Sequence, residues 1–326
     1  MTAEIAILNK SAVALAADSL VTVQSPNRVP KTYNVNKLFR LSKYHPVGVM
    51  VYGNAELLGV PWETTIKIYR KQLRNTSFET VEEYARSFAT FLGANRQLFP
   101  KEAQAEFFRQ AVEGFFIHLR RDIDKRVEAI TRGSSGTVTR DQIRVVAAET
   151  IEKHWRRFQD ATELQYLAPD FDRRVRAHHA LAIKKLIDSH FASFELQDAS
   201  RQQLDELCGL LFSRNLLPAT GISGIVVAGF GECEPFPAVA VLDVFGVLED
   251  RLIYCQDDKA SVNLNHGDLV GAVLPFAQRD VVDSFLQGID PHFHRLLSRF
   301  LRTSRSSFPR PLPRVLGGRT TRRGSC

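Results

Sequence analysis

Several features that commonly announce a function are missing from this chain. Its 326 residues hold four cysteines, Cys208, Cys233, Cys255 and Cys326, far apart, with no CxxC pair and no histidine cluster beside them. That spacing suggests neither a zinc site nor a disulfide framework, and it fits a reducing cytoplasm. No metal and no cofactor are expected. No apolar run reaches the roughly 18 residues that span a bilayer. A basic segment followed by an apolar stretch of signal length is also missing from the N-terminus. The expectation is a soluble protein that is not exported and has no membrane partner.

Acidic residues are absent from 301–326, which carry seven arginines; the other 36 basic residues face 36 acidic ones. The net charge of +7 therefore belongs to the tail, and residues 1–300 are formally neutral. A folded nucleic-acid module would show its basic excess on the domain itself, so nucleic acid is not the expected partner. The tail is rich in Arg, Ser, Pro and Gly, a disordered composition. Its abrupt onset also fits a frameshifted or mispredicted C-terminus, so the fold is read from 1–300.

Within that body, EIAIL and AVALAA read as two strands joined by a turn at Asn9-Lys10. The polar stretch VTVQSPNRVPKTYNVN leads to two more strands, KLFRL and VGVMVYG. The period then becomes helical. One helix opens at Pro61, a second carries a Thr76-x-x-Glu79 capping box, and amphipathic patterns continue to about residue 210, broken by Gly-Ser-Ser-Gly at 133–136. Strands return in SGIVVAGFG, PAVAVLDVFG, DRLIYC and GAVLPFAQ, ahead of a final helix around RDVVDSFLQG. Strands, helices, strands, helix is the order of an α+β protein with antiparallel sheets.

Most charged constellations have a plain reading. IEKHWRRF and DRRVRAHH read as solvated helix faces. His178 and His179 are helical neighbours that point apart, which argues against a shared metal. GFGECEP has two glycines but no third, no Lys-Ser/Thr and no following helix, so it reads as a turn between antiparallel strands. The opening residues are different. Once an initiator Met is trimmed, Thr2 would carry a hydroxyl nucleophile and an α-amine base on one residue. A hydroxyl also needs a cation to stabilise its deprotonated form and an acid to orient that cation. Lys37 and Asp18, both at strand ends, are candidates for those two roles.

The runs TAEIAI, VALAADS, NKLFRL and VGVMVYGNAE together resemble the N-terminal half of proteasome β-type subunits and their bacterial relatives, in the N-terminal nucleophile hydrolase superfamily. SGIVVAGFG, PAVAVLDVFG and DRL resemble the later strands, so the likeness covers about residues 2–75 and 220–290. The resemblance implies a four-layer αββα sandwich over residues 1–300, with a large helical insertion at about 100–210 and the tail at 301–326 outside it. It implies that Thr2, Asp18 and Lys37 occupy the nucleophile, acid and lysine positions, and that a backbone N–H at Gly53, or otherwise at Tyr52, holds the oxyanion. A bulky side chain at Tyr52 would reshape the substrate pocket. The implied activity is hydrolysis of a peptide or amide bond by a threonine-type enzyme that assembles with its own copies in the cytoplasm. The alternative is a catalytically silent structural or interaction protein on the same fold.

Overall fold

The computed structural model of the chain describes residues 3–23, 31–133, 138–216, 221–277 and 279–307. Period-two alternation builds its first hairpin. In β1 (Ala3–Asn9) Glu4, Ala6 and Leu8 are buried while Ile7 and Asn9 are exposed, and β2 (Ala12–Ala17) pairs with it antiparallel. The two-residue loop is Lys10-Ser11, one step beyond the turn expected from sequence. Asn9 contributes through its side chain: its Oδ1 accepts the N–H of Ser11 at 2.8 Å and of Ala12 at 3.0 Å. Its backbone stays out of the left-handed region.

A two-stranded ladder, β3 (Leu20–Val23) with β4 (Lys31–Asn34), occupies the stretch that reads as polar loop. Next come β5 (Leu38–Arg40), β6 (Val47–Gly53) and the short pair β7 (Glu56–Leu57) and β8 (Val60–Pro61). The helices are α1 (Trp62–Leu73), α2 (Val81–Ala94), α3 (Lys101–Gly133), α4 (Arg140–Gln159), α5 (Phe171–Phe191) and α6 (Asp198–Leu210). The later strands are β9 (Ser223–Gly229), β10 (Ala238–Leu248), β11 (Arg251–Gln256), β12 (Val262–Asn263) and β13 (Gly271–Ala277). They are followed by α7 (Arg279–Gln287) and α8 (Pro291–Ser307). Of the Gly-Ser-Ser-Gly break, all but Gly133, the last residue of α3, lies outside the described residues.

The chain is α+β with antiparallel sheets. One sheet runs β13-β1-β2; the other runs β11-β10-β9-β6-β5, with β12 beside β10. The two sheets share a buried layer in which Ala6, Leu8 and Phe276 meet Met50, Val226 and Val241. On its opposite face the larger sheet buries Val47, Val49 and Val51 against Trp62, Ile66 and Phe88 of α1 and α2. Full burial of such side chains is worth about 1.5–3 kcal/mol each, so the central strands are held from both sides. The outer face of the three-stranded sheet leaves Ile7 and Val273 exposed.

Two turns show how local chemistry sets these elements. The capping box of α2 is Thr80 with Glu83, four residues beyond the pair read from sequence. The Thr80 hydroxyl accepts the Glu83 N–H, and the Glu83 carboxylate returns to the Thr80 N–H. GFGECEP does join antiparallel strands, and its Glu234 is buried to accept the N–H of Val81 at 2.9 Å and of Gly231 at 3.0 Å. The turn thereby tethers α2.

Helices α3 to α6 form a third core with Phe245, Leu248 and Ile253 of β10 and β11. Two histidines in the runs read as solvated faces belong to this region and are buried or nearly so. His154 meets Asp122 at 3.2 Å. His179 stacks on Phe108 with centroids 4.0 Å apart, at a kink in α5. The kink turns His178 and His179 toward one carboxylate, Glu249, at 2.9 and 3.7 Å, where a regular helix would hold them apart.

By compactness the chain divides into Met1–Gln278 and Arg279–Cys326, ahead of the 300/301 boundary read from composition. The second unit contains α7 and α8; on α8 Phe293, Leu296, Leu297, Phe300 and Leu301 follow helical spacing and are exposed. Of the expected tail, residues 308–326 lie outside the described residues.

Within the first unit, α3 docks on β10 through Phe107, whose ring occupies the space above Gly246: a Cβ there would fall 2.2 Å from Phe107 Cζ. The same strand shifts register between Val244 and Gly246. Gly246→Val is expected to displace the ring and lower stability by about 1–3 kcal/mol, as overpacking does. A urea titration reads this as an earlier midpoint, and an unmoved midpoint would show that the ring does not hold the helix to the sheet.

Candidate functional site

Four chain segments converge where β1 begins. β2 ends at Ala17, and the next residue, Asp18, donates its N–H to the carbonyl of Ala3 at 3.2 Å, continuing the hairpin register. Lys37 precedes β5, and its carbonyl accepts the N–H of Val51 in β6 at 2.9 Å. Asp18 is thus fixed to the smaller sheet and Lys37 to the larger one. Their side chains close the gap, with Lys37 Nζ 2.5 Å from Asp18 Oδ1.

A second carboxylate stands beside this pair. Glu4 is 1% exposed, and its Oε1 lies 3.3 Å from Lys37 Nζ. The contact is one of charge: neither Glu4 oxygen receives an aligned hydrogen bond. Burial pushes the Glu4 carboxyl above its ordinary value of 4.5, against the pull of Lys37. Glu4 was not among the candidates read from sequence, although one signal was there. It occupies an inward position of an alternating strand whose other inward residues are Ala6 and Leu8, and an acid on a buried face needs a partner.

Thr2, the expected nucleophile, lies outside the described residues. Asp18 and Lys37 are brought together. Gly53 closes the neighbouring strand, with φ at +82° and room for no side chain, since a Cβ would sit 2.5 Å from the Ile222 carbonyl oxygen. Successive N–H groups along β6 alternate between neighbours: Val51 donates toward β5, and Asn54 donates to Ile222 at 3.3 Å. Gly53 shares the parity of Val51, so its N–H faces the β5 side, about 7 Å along the strand from the contact with Lys37.

Tyr52 takes the opposite parity and stands in register with Gly224 of β9. Its side chain does not hang from the turn. The ring lies between the sheets, stacked on Phe276 with centroids 5.5 Å apart, above Gly224, and the hydroxyl donates to Asp243 at 3.4 Å. Immediately past Gly53, Asn54 lines a cleft of about 1050 Å³ that lies against α3.

Among the described residues no three His, Cys, Asp or Glu side chains are grouped to hold a metal, and no helix is long and apolar enough to cross a membrane. Compared with protein-family models, with curated proteins and with solved structures, the chain matches none.

The raised Glu4 carboxyl has a measurable sign. The folded chain holds that proton more tightly than the unfolded one, so the stability Glu4 lends is full below pH of about 4.5 and is lost as pH rises through the native value. The melting temperature of Glu4→Gln, relative to the parent, should therefore climb as pH increases from that point. A difference that stays flat from acid to neutral pH would mark an ordinary carboxylate.

Proposed function

We propose that the chain is an N-terminal threonine hydrolase of the proteasome-like type, acting on a peptide or amide bond, on a four-layer αββα sandwich. The observation that carries this reading is the 2.5 Å contact of Lys37 with Asp18, formed where Asp18 pairs with Ala3, the residue that follows Thr2 in the sequence. A hydroxyl nucleophile requires a cation, and an acid to hold that cation.

In this mechanism Thr2 Oγ attacks the scissile carbonyl while the Thr2 α-amine, through a water, takes the hydroxyl proton and passes it to the leaving amine. The resulting acyl ester is then hydrolysed by a water that the same amine activates. Lys37 stabilises the developing alkoxide, Asp18 orients Lys37, and the Gly53 N–H receives the oxyanion. An α-amine with a reference pKa of about 7.7–8.0 suits this task near neutral pH. Self-assembly and a cytoplasmic setting belong to the same reading.

Glu4 favours a second reading, a catalytically silent protein on the same fold. When ionised, it places a second negative charge against Lys37 and weakens the hold of that cation on an alkoxide.

An epoxyketone separates the two, because it closes a ring only with a free α-amine and an activated hydroxyl on one residue. The expected result is one added equivalent on Thr2 by mass spectrometry, weakened by Asp18→Asn, nearly abolished by Lys37→Ala and absent in Thr2→Ala. An alkoxide without its cation is costly by several kcal/mol. Intact mass establishes that Thr2 is the free N-terminus. Labelling at a cysteine, or labelling indifferent to Lys37, would sink the hydrolase, and no labelling of folded protein with free Thr2 selects the silent relative.

A further inference from the structure

The cleft that begins at Asn54 follows α3 for most of its buried length. Ala103 and Arg121 both line it, and at a rise of 1.5 Å per residue they lie about 27 Å apart along the helix. That is the length of about eight residues of extended chain. Its walls mix apolar surface, Phe107 and Phe115 of α3 with Leu211 beyond α6, and polar groups such as Gln110.

One residue of α3 is a glycine that the packing around it does not require. Three helices carry an interior glycine. Gly93 in α2 is needed because a Cβ would meet the Leu252 backbone at 2.7 Å, and Gly209 in α6 because a Cβ would meet the Asp172 carbonyl oxygen at 2.6 Å. Gly114, in the middle of α3, faces open space: nothing lies within 4 Å of its Cβ position, and it lines the cleft. Its φ is not positive. Glycine weakens a helix interior, and one that neither packing nor backbone geometry requires keeps a path clear for a close approach.

The charge along the cleft is polarised. At one end Glu106 is neutralised by Arg109 at 2.7 Å. At the other, Arg121 of α3 and Arg157 of α4 line the wall beside His118, and neither arginine has an ion-pair partner among the described residues. His154, which also lines the wall, is 8% exposed with its Nδ1 unpartnered.

We propose that this cleft is a binding groove for an extended polypeptide segment, which passes over Gly114 and places a carboxylate against Arg121 and Arg157. Its use as the substrate channel of a hydrolase rests on the reading of Thr2 given above; the groove itself does not.

Fluorescence anisotropy of a fluorescein-labelled peptide of about ten alternating alanines and leucines, ending in two glutamates, tests the groove on the full-length Thr2→Ala chain. Saturable binding is expected, weakened about tenfold or more by Gly114→Leu and by the double variant Arg121→Gln/Arg157→Gln, and similarly weak for a peptide ending in two lysines. The arginines are exposed, so the double variant keeps its fold even where leucine at 114 does not, and circular dichroism verifies this. Absence of saturable binding, or equal binding by the folded arginine variant and by the lysine peptide, overturns the proposal. So does a thymidine oligonucleotide of similar length that displaces the peptide and binds more tightly. Epoxyketone labelling of the parent chain is scored separately. Binding without labelling removes the hydrolase and keeps the groove, and labelling without binding does the reverse.

Discussion

A lysine ammonium taken out of water must meet negative charge, and Lys37 meets it twice. The backbone of Lys37 belongs to the six-stranded sheet, through Val51, while Asp18 and Glu4 belong to the hairpin of the three-stranded sheet. The two sheets are thus joined by an apolar layer over their middle and by an ionic contact at one end. Such a contact contributes little net free energy compared with well-packed apolar groups, yet a buried charge left without compensation costs about 3–5 kcal/mol. It therefore acts less as a source of stability than as a constraint: β1, β2 and β5 must arrive in one arrangement or the charge is stranded.

Two carboxylates on one ammonium also set the chemistry available there. Asp18 is partly open to solvent and lies at 2.5 Å, whereas Glu4 is sealed in and lies at 3.3 Å. Burial raises the Glu4 carboxyl and makes its protonated form easier to reach. With Glu4 protonated, the negative charge set against Lys37 at this corner falls; with Glu4 ionised, it rises. The charge balance at this corner thus depends on the protonation of Glu4.

Within the first unit the larger sheet carries the other layers. One face binds α1 and α2 and the other the small sheet, while its β10 and β11 carry α3 to α6. Phe107 seats α3 against Gly246, and the cleft is lined by α3 together with Asn54, which follows β6, and Ser223, which opens β9. The cleft brings α3, from the middle of the chain, beside residues 54–59, which precede it in the sequence.

Wherever the physics is local, the chain could be read directly. Alternation marked the first hairpin, the runs KLFRL and VGVMVYG marked β5 and β6, and helical periodicity marked α1 to α6. Asp18 and Lys37 were singled out as strand-end charges and do meet. What failed was also local, but competitive. Thr76 and Thr80 are equally good caps on paper, and contact with the GFGECEP turn accompanies the choice of Thr80. The turn at Lys10-Ser11 forms because the Asn9 side chain reaches two amides that sequence spacing alone does not select. The alternation of β1 signalled a buried Glu4 but not its partner, and the buried histidines and the empty space over Gly114 lay beyond any such reading. By itself the sequence determined which segments are strands and helices, since that depends on neighbours one to four residues away. Only the tertiary structure decided which charges are buried together and where a cleft stays open, since both depend on the distance between segments that the chain places far apart.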